Sequence, residues 1–358
     1  MIKKKKIAVL TTYFANFGSY FQATALQRQI EKLGYECELI NERARLFKSY
    51  KMLISVCLTP FLPHAVKEFI AERVPQYYAF LRLKNDVARL KVSSAFSFNL
   101  RKLSKKYDCI VVGSDELWSA NKKTIVYYPF YFGVGLECPH ITYGPSATMF
   151  EGASDKRLGE IRDGLMSFRR ISVRDTFTRD FVEKLLGVQP KLVIDPTLMN
   201  PYFVQNGEGK GEYVLVYGQH YSEKERKVIR EFAEKHGWKV MAVAWKHDSW
   251  CDGFIDTRSA DDMQDAFRKS EYCFPSTFHG VIFSVLNHRN FITFINPLRG
   301  RKVTMLLETL QMKDRIYSDK KSEQFTEVDF GKVDKLLKEL RKKSIDYLQK
   351  ALEEACNE

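Results

Sequence analysis

The sequence predicts an α/β protein built from two Rossmann-like halves. A chain of 358 residues is long for one domain and suits two domains of about 150 residues each. Two separate stretches, 5–41 and 211–245, each have the pattern strand, helix, strand, and polar residues follow most strands of the chain. We therefore expect parallel sheets, with ligands in a cleft at the carboxyl ends of the strands.

The first half contains the larger number of predicted strands. The apolar strand IAVL leads through a loop with Asn16 and Gly18 into a helix that ends at Gly34, before the strand ECELI. Further strands are predicted in YDCIVVGSDELWS, HITYGPSAT, ISVRD and KLVIDPTLM, where Pro196 ends the last one. Between them, residues 43–106 are predicted to form a mainly helical elaboration of this domain.

The second half starts again with the strand GEYVLVYG, the helix EKERKVIREFAEKHG and the strand WKVMAVAW. A helix, a strand, a helix and a strand follow in SADDMQDAFRKSEYCFPSTFHGVIFSVLNHRNFITFI. The segment from EVDFGKV onwards predicts one long amphipathic C-terminal helix. The expected domains are 1–196, 212–320 after a linker near 197–212, and a helix at 326–358 that packs on the body.

Composition narrows the class of protein. The chain is 45% hydrophobic and 28% charged, as soluble globular proteins are. MIKKKKIAVL is too short for a secretory signal, and no apolar run approaches the ~18 residues of a membrane span. The seven cysteines are odd in number and none are spaced CxxC, so we expect reduced thiols in a cytoplasmic protein and no zinc site.

The net charge of +13 is concentrated between Arg43 and Lys106, where 14 Lys and Arg outnumber three acidic residues. The segment lacks the motifs of nucleic-acid-binding proteins, so no nucleic-acid partner is expected. Two interpretations remain for residues 43–106. One is a solvated face of helices, and the other is peripheral docking on a polyanionic glycan or on the inner face of an anionic membrane.

The strand-to-helix junction STFHGVIF is the main candidate site of the second half. Ser276 or Thr277 can cap the helix, whose first N–H groups attract phosphate or carboxylate. Gly280 has no side chain and would let a ligand approach the backbone. His279 lies in the same turn and can deliver a proton near neutral pH. A histidine that merely packs at the start of the helix is an equal alternative.

Strand ends supply the candidates of the first half. Arg174 can bind a carboxylate or phosphate with two parallel hydrogen bonds, or it can be structural, with Asp175 as its ion-pair partner. Asp115 can orient or deprotonate a sugar hydroxyl, or it can be a turn residue. The loop with Asn16 and Gly18 is a second candidate for an anion or sugar site. Three further residues are candidate substrate contacts: Ser114, Ser146 and Arg301.

Six segments, in order along the chain, resemble the motifs of the polysaccharide pyruvyl transferase family. They are NFGSYFQATALQ at 16–27, VVGSDELWS at 111–119, ISVRD at 171–175, IDPTLM at 194–199, STFHGVIFSVL at 276–286 and RGRKVTMLLETL at 299–310. The resemblance implies two Rossmann-like domains that face each other across a cleft, as in GT-B enzymes. It also implies transfer of an enolpyruvyl unit from phosphoenolpyruvate to a sugar, which forms a cyclic pyruvate ketal and releases phosphate.

The resemblance also implies roles for the candidates. His279 would be the general acid, Arg174 and the helix start at 277–280 would hold phosphoenolpyruvate, and Asp115 would orient the acceptor. That acceptor would be a sugar of an exopolysaccharide or another cell-envelope glycan, or of its lipid-linked precursor. The chemistry calls for no metal or redox cofactor, because phosphoenolpyruvate is itself the activated donor.

Two positions depart from the family pattern. Glu116 stands where the family often has Gln, and Thr277 stands where some members have Arg, which would leave the phosphate to Arg301, Arg299 or backbone N–H groups. Two alternative functions are a GT-B glycosyltransferase with a nucleotide-sugar donor and a non-catalytic glycan-binding protein on the same scaffold.

Overall fold

A computed structural model describes most of the chain, in ten segments. They are residues 4–14, 16–41, 83–96, 100–118, 128–147, 154–199, 211–247, 249–295, 300–320 and 324–357. The chain divides into two compact units. The N-terminal unit comprises Met1–Met199 together with Lys342–Glu358, and the C-terminal unit comprises Asn200–Arg341.

The N-terminal unit is organised around a five-stranded parallel sheet of order β3-β2-β1-β4-β5. Its strands are β1 Lys6–Leu10, β2 Glu36–Asn41, β3 Val92–Phe96, β4 Cys109–Val112 and β5 His140–Thr142. The two central strands, β1 and β4, are almost wholly buried, which explains why their sequences are continuous apolar runs. A bridge between Ile141 and Arg170 connects this sheet to a parallel pair, β6 Ser172–Val173 and β7 Lys191–Leu192.

The named helices of this unit are α1 Phe17–Lys32, α2 Leu100–Ser104, α3 Asp155–Met166, α4 Thr176–Leu186 and α5 Pro196–Met199. Polar residues cap the starts of α1, α3 and α4. Asn16 and Ser19 form a reciprocal capping box at α1, and Asp175 caps α4. The core of the unit includes Trp118, which stacks on Phe132 and donates a hydrogen bond from its indole to the carbonyl of Tyr131.

One part of the predicted, mainly helical elaboration at 43–106 is a strand. Residues 42–82 lie outside the described part of the chain, and 83–88 and α2 are helical. Val92–Phe96, however, forms the edge strand β3, which pairs in parallel with β2. Its sequence, VSSAF, is short and half polar, so its pattern alone does not identify a strand.

The C-terminal unit contains a second five-stranded parallel sheet, of order β10-β9-β8-β11-β12. Its strands are β8 Tyr213–Tyr217, β9 Lys239–Val243, β10 Gly253–Ile255, β11 Tyr272–Pro275 and β12 Asn290–Phe291. The helices that follow its first strand are α6 Glu223–His236, α7 Ala260–Lys269, α8 Phe278–Leu286 and α9 Gly300–Thr309. A buried core of Val, Ile and aromatic side chains from these elements holds the unit together.

The last helix, α10, spans Phe330–Asn357 and is the predicted long C-terminal helix. It begins in the C-terminal unit and ends in the N-terminal unit, because the division between the units falls after Arg341. Within the described residues, no helix combines the length and the apolar composition that crossing a bilayer requires. The predicted fold class, an α/β protein with two Rossmann-like halves, is confirmed.

Candidate functional site

The carboxyl edge of the N-terminal sheet is organised by a buried ion pair. Arg174 follows β6 and Asp195 follows β7, and their side chains are 4% and 0% exposed. Nη1 of Arg174 lies 2.5 Å from Oδ2 of Asp195. Burial disfavours the charged guanidinium, but the nearby carboxylates, with Asp195 and Asp115 first, outweigh it and raise the pKa of Arg174. The arginine is therefore a fixed positive charge at this edge.

Two serine hydroxyls bind the same guanidinium. Oγ of Ser146 accepts from Nε and Nη2 of Arg174 at 3.2 and 3.1 Å, and Oγ of Ser114 accepts from Nη1 at 3.3 Å. Both serines are buried, and Ser114 also donates to the carbonyl of Gly144. The direct substrate contacts predicted for these three side chains stay predictions, because in this structure they bond to one another.

Asp115 is the carboxylate of this cluster that reaches solvent. Its side chain is 24% exposed, and Oδ1 lies 3.8 Å from Nη2 of Arg174. The backbone at Asp115 has φ 92°, a conformation that L-residues rarely adopt and that is common at functional sites. The neighbouring Gly113, at φ 122°, has no room for a side chain, because a Cβ would lie 2.3 Å from the carbonyl oxygen of Tyr143. The backbone N–H groups of Leu117 and Ser146 donate to the carbonyl of Asp115, which holds this residue in place.

Asn16 and Gly18 begin the first helix, as predicted. Oδ1 of Asn16 accepts the N–H of Ser19 at 2.9 Å, and the hydroxyl of Ser19 lies 3.1 Å from the N–H of Asn16. Gly18 is buried as the second residue of α1. This geometry explains both residues as parts of a helix start, and a ligand role for them stays a prediction.

The candidate site of the C-terminal unit lies at the junction of β11 and α8. Thr277 is the N-cap residue, and its hydroxyl accepts the N–H of Gly280 at 3.1 Å. Ser276 does not cap the helix. Its Oγ occupies the space above Gly218, where a Cβ would lie only 1.8 Å away. His247 closes the same edge, with Nε2 2.8 Å from the carbonyl oxygen of Gly218.

His279 is half-buried in the first turn of α8. Its ring contacts Phe278 and Phe283, with ring centroids 5.3 and 6.1 Å apart. The side chain therefore has an apolar wall on its own helix and lies at the positive end of the helix dipole. This position suits an anionic ligand, and the role of general acid stays a prediction.

The structure explains why a glycine is needed at position 280, and this explanation differs from the predicted approach of a ligand. A Cβ at this position would lie 2.8 Å from Cβ of Pro275, 2.8 Å from Cδ1 of Tyr217 and 3.0 Å from Oγ1 of Thr277. Protein atoms thus fill the space, and the glycine lets α8 pack closely on the sheet. Arg301 is exposed in the first turn of α9, and Arg299 lies outside the described residues.

Sequence reasoning missed Asp195, and the alternative in which Asp175 pairs with Arg174 does not give the closest partner. Asp175 caps α4, with Oδ1 2.7 Å from both the N–H and the hydroxyl of Thr178, and the closest partner of Arg174 is Asp195. The available signal was that Asp195 also follows a strand, in IDPTLM. In the part of the chain that the structure describes, no group of three or more His, Cys, Asp or Glu is arranged to hold a metal ion.

Comparison with models of protein families assigns the chain to a family. The model of the family described as polysaccharide pyruvyl transferase matches residues 16–297, which is most of the sequence. The chain belongs to the polysaccharide pyruvyl transferase family. It is therefore a transferase of polysaccharide biosynthesis, and Asn16, Asp115, Arg174 and His279 all lie within the matched residues, whereas Arg301 lies beyond them.

Solved structures resemble this pyruvyl transferase in fold. Arabidopsis thaliana UGT89C1 complexed with UDP-L-rhamnose is 11% identical, with a TM-score of 0.51 over 99% of this chain and 100% of that one. UDP-GlcNAc 2-epimerase from Methanocaldococcus jannaschii is 12% identical, with a TM-score of 0.46 over 94% and 92% of the two chains. The predicted GT-B-like fold is confirmed, and identities this low concern the fold alone. Comparison with curated proteins found no match.

Proposed function

We propose that the protein transfers pyruvate from phosphoenolpyruvate to a sugar of a cell-surface polysaccharide or of its precursor, and so forms a cyclic pyruvate ketal. Membership of the pyruvyl transferase family carries the proposal. The chemistry of the two candidate sites supports it. One contains a histidine at a helix start, and the other contains a solvent-facing carboxylate beside a buried arginine.

The proposed reaction begins with proton transfer from the imidazolium of His279 to the methylene carbon of phosphoenolpyruvate, which becomes the methyl group of the ketal. C2 acquires oxocarbenium character and bonds to the oxygen of one sugar hydroxyl. A second hydroxyl of the same sugar then bonds to C2, and the C2–O bond to phosphate breaks. One hydroxyl proton returns to His279, and the other leaves with the phosphate.

Each remaining candidate has a role in this proposal. The start of α8 at 277–280 favours binding of the anionic donor. The first N–H groups of the helix and the positive end of its dipole lie there. Arg301 is a second candidate contact for phosphate, since Thr277 occupies the position at which some relatives have Arg. Asp115 would orient the sugar or relay a hydroxyl proton, and Arg174 would hold Asp115 in place.

The test measures phosphate release from phosphoenolpyruvate with a panel of sugar acceptors, for the wild type, His279→Ala and His288→Ala. We expect His279→Ala to lower the rate by about 100-fold or more while it still binds phosphoenolpyruvate in calorimetry. His288 is the matched control. This half-buried histidine lies just after the end of α8, and its Nε2 is 3.2 Å from Oδ1 of Asp334. We expect His288→Ala to retain the wild-type rate.

Two results would contradict the proposal. If His279→Ala releases phosphate at the wild-type rate, this histidine is not the general acid. If calorimetry detects a nucleotide sugar such as UDP-glucose and no phosphoenolpyruvate, the protein is a glycosyltransferase on the same fold. The binding experiment separates these two enzymes without knowledge of the acceptor.

A further inference from the structure

The N-terminal unit contains a cleft with a volume of 450 Å³, and none of its lining residues is a candidate site residue. Residues that flank β6 and β7 form one side, and a face of α10 forms the other. The lining residues are Arg170, Ile171, Gln189, Lys191, Lys343, Asp346, Tyr347 and Lys350. We refer to these eight residues as the basic cleft. All of them belong to the N-terminal unit.

The basic cleft carries an excess of positive charge. Four of its eight residues are Lys or Arg, and Asp346 is its one acidic member. Its four α10 residues recur at intervals of three, one and three, so they lie on one face of the helix. Lys191, Lys343 and Lys350 are exposed, and among the described residues no acidic side chain forms an ion pair with them. Their charge is therefore available to an anionic partner.

The floor of the cleft is fixed by contacts between α10 and the sheet. The guanidinium of Arg170 forms two hydrogen bonds with the carboxylate of Glu354, which raise the pKa of Arg170 and lower that of Glu354. The hydroxyl of Tyr347 donates to the carbonyl of Thr142 at 3.2 Å. These contacts hold in place the backbone that carries the three exposed lysines. Arg170 takes part in these contacts and is therefore not counted among the residues that bind a partner.

Two exposed aliphatic residues lie next to lining residues of the cleft in sequence. Val188 is 56% exposed and Leu192 is 40% exposed, and they flank Gln189 and Lys191 in sequence. Aliphatic side chains beside lysines are typical of surfaces that enter the interface of a bilayer, where the lysine ammonium groups reach the phosphates. A site for a small soluble anion has no need of these exposed aliphatic residues.

We propose that the basic cleft docks the protein on an anionic phospholipid bilayer. Lys191, Lys343 and Lys350 would bind headgroup phosphates, and Val188 and Leu192 would enter the interface. The positive charge suits either polyanion, and the exposed aliphatic residues favour a bilayer over an acidic polysaccharide. The inference does not depend on the pyruvyl chemistry, and it would bring the enzyme to lipid-linked acceptors.

Co-sedimentation with vesicles tests the proposal in the absence of phosphoenolpyruvate and acceptor. The full chain is mixed with phosphatidylcholine vesicles that do or do not contain phosphatidylglycerol. We expect binding only to the anionic vesicles, and weaker binding as salt rises. The triple variant Lys191→Gln, Lys343→Gln, Lys350→Gln should bind about 100-fold more weakly, because each basic residue at an anionic surface contributes about five-fold.

A matched triple variant on the C-terminal unit controls for net charge. Lys227→Gln, Lys235→Gln and Lys239→Gln remove three other exposed lysines, and this variant should bind as the wild type does. Val188→Ser with Leu192→Ser should also weaken binding, and more so at high salt, where the apolar contribution remains. Phosphate release measured with a soluble acceptor should be unchanged in all three variants.

Three outcomes would overturn the proposal. Equal binding by the two lysine variants would assign docking to another surface, such as the basic segment 43–106. Calorimetric binding of free pyrophosphate without binding to vesicles would make the cleft a soluble-phosphate site. Binding to a soluble acidic polysaccharide such as alginate, again without vesicles, would make it a glycan surface.

Discussion

At the scale of single residues, Arg174 shows how far the sequence alone can lead. The sequence correctly indicated a polar cluster at the carboxyl edge of the sheet, because Ser114, Ser146 and Arg174 each follow a predicted strand. It did not indicate that they bind one another. The partner that pairs most closely with the arginine, Asp195, is 21 residues away, and only the parallel arrangement of β6 and β7 brings the two together.

We predict that Arg174→Met or Asp195→Leu destabilises the N-terminal unit by about 3–5 kcal/mol, because each variant leaves one buried charge without its closest counter-ion. The double variant should lose less than the sum of the single losses, since it leaves neither charge behind. Hydrogen exchange in β1 and β4 measures the free energy of opening of this unit.

Arg258→Met is the control for that experiment. Arg258 pairs with Asp256 at 2.9 Å on the surface, and its side chain is 81% exposed. We expect a loss below about 1 kcal/mol, because solvent screens such a pair. Strictly additive losses in the double variant would contradict a direct interaction between Arg174 and Asp195.

At the scale of elements, the sequence was most informative where it contained a continuous apolar strand or a helix with a clear polar cap. The junction of β11 and α8 was predicted from its apolar strand and its Ser-Thr cap. Two strands were missed, VSSAF in β3 and GFI in β10, because neither contains a continuous apolar run like IAVL or CIVV. Both missed strands are at an edge of their sheet.

Two glycines in helices allow a prediction at this scale. Gly280→Ala should destabilise the C-terminal unit by about 1–3 kcal/mol, because the new methyl group overlaps Pro275 and Tyr217. Gly159→Ala, in the interior of α3, should stabilise the N-terminal unit by about 0.5–1 kcal/mol, since no atom beyond the adjacent residues and the backbone of its own helix lies within 4 Å of the added carbon.

Hydrogen exchange, measured in both units of each variant, gives the change in stability caused by Gly280→Ala and by Gly159→Ala. The comparison isolates packing, because the chemical change is the same at both sites. If Gly280→Ala proves as stabilising as Gly159→Ala, the close packing of α8 on its sheet is not what requires glycine there. The ligand-approach explanation for Gly280 would then be favoured again.

At the scale of the whole molecule, the repeated strand-helix-strand pattern was enough to predict two α/β units. What it could not reveal is the path of the last helix. An amphipathic pattern shows that α10 buries one stripe of residues, but it does not identify the surface that the stripe covers. In the structure, the second half of α10 supplies Ser344, which accepts the N–H of Ile194 at 3.1 Å, and so completes the N-terminal unit.

Two leucines on this one helix test the division of the molecule. Leu337 is buried in the C-terminal unit and Leu348 in the N-terminal unit, with at most 1% of either exposed. Replacement of a buried leucine by alanine costs about 2–5 kcal/mol. Leu348→Ala should therefore accelerate hydrogen exchange in β1 and β4, and Leu337→Ala should accelerate it in β8 and β11. If both variants instead accelerated exchange equally in all four strands, the two units would unfold as one cooperative body, and the second half of α10 would not belong specifically to the N-terminal unit.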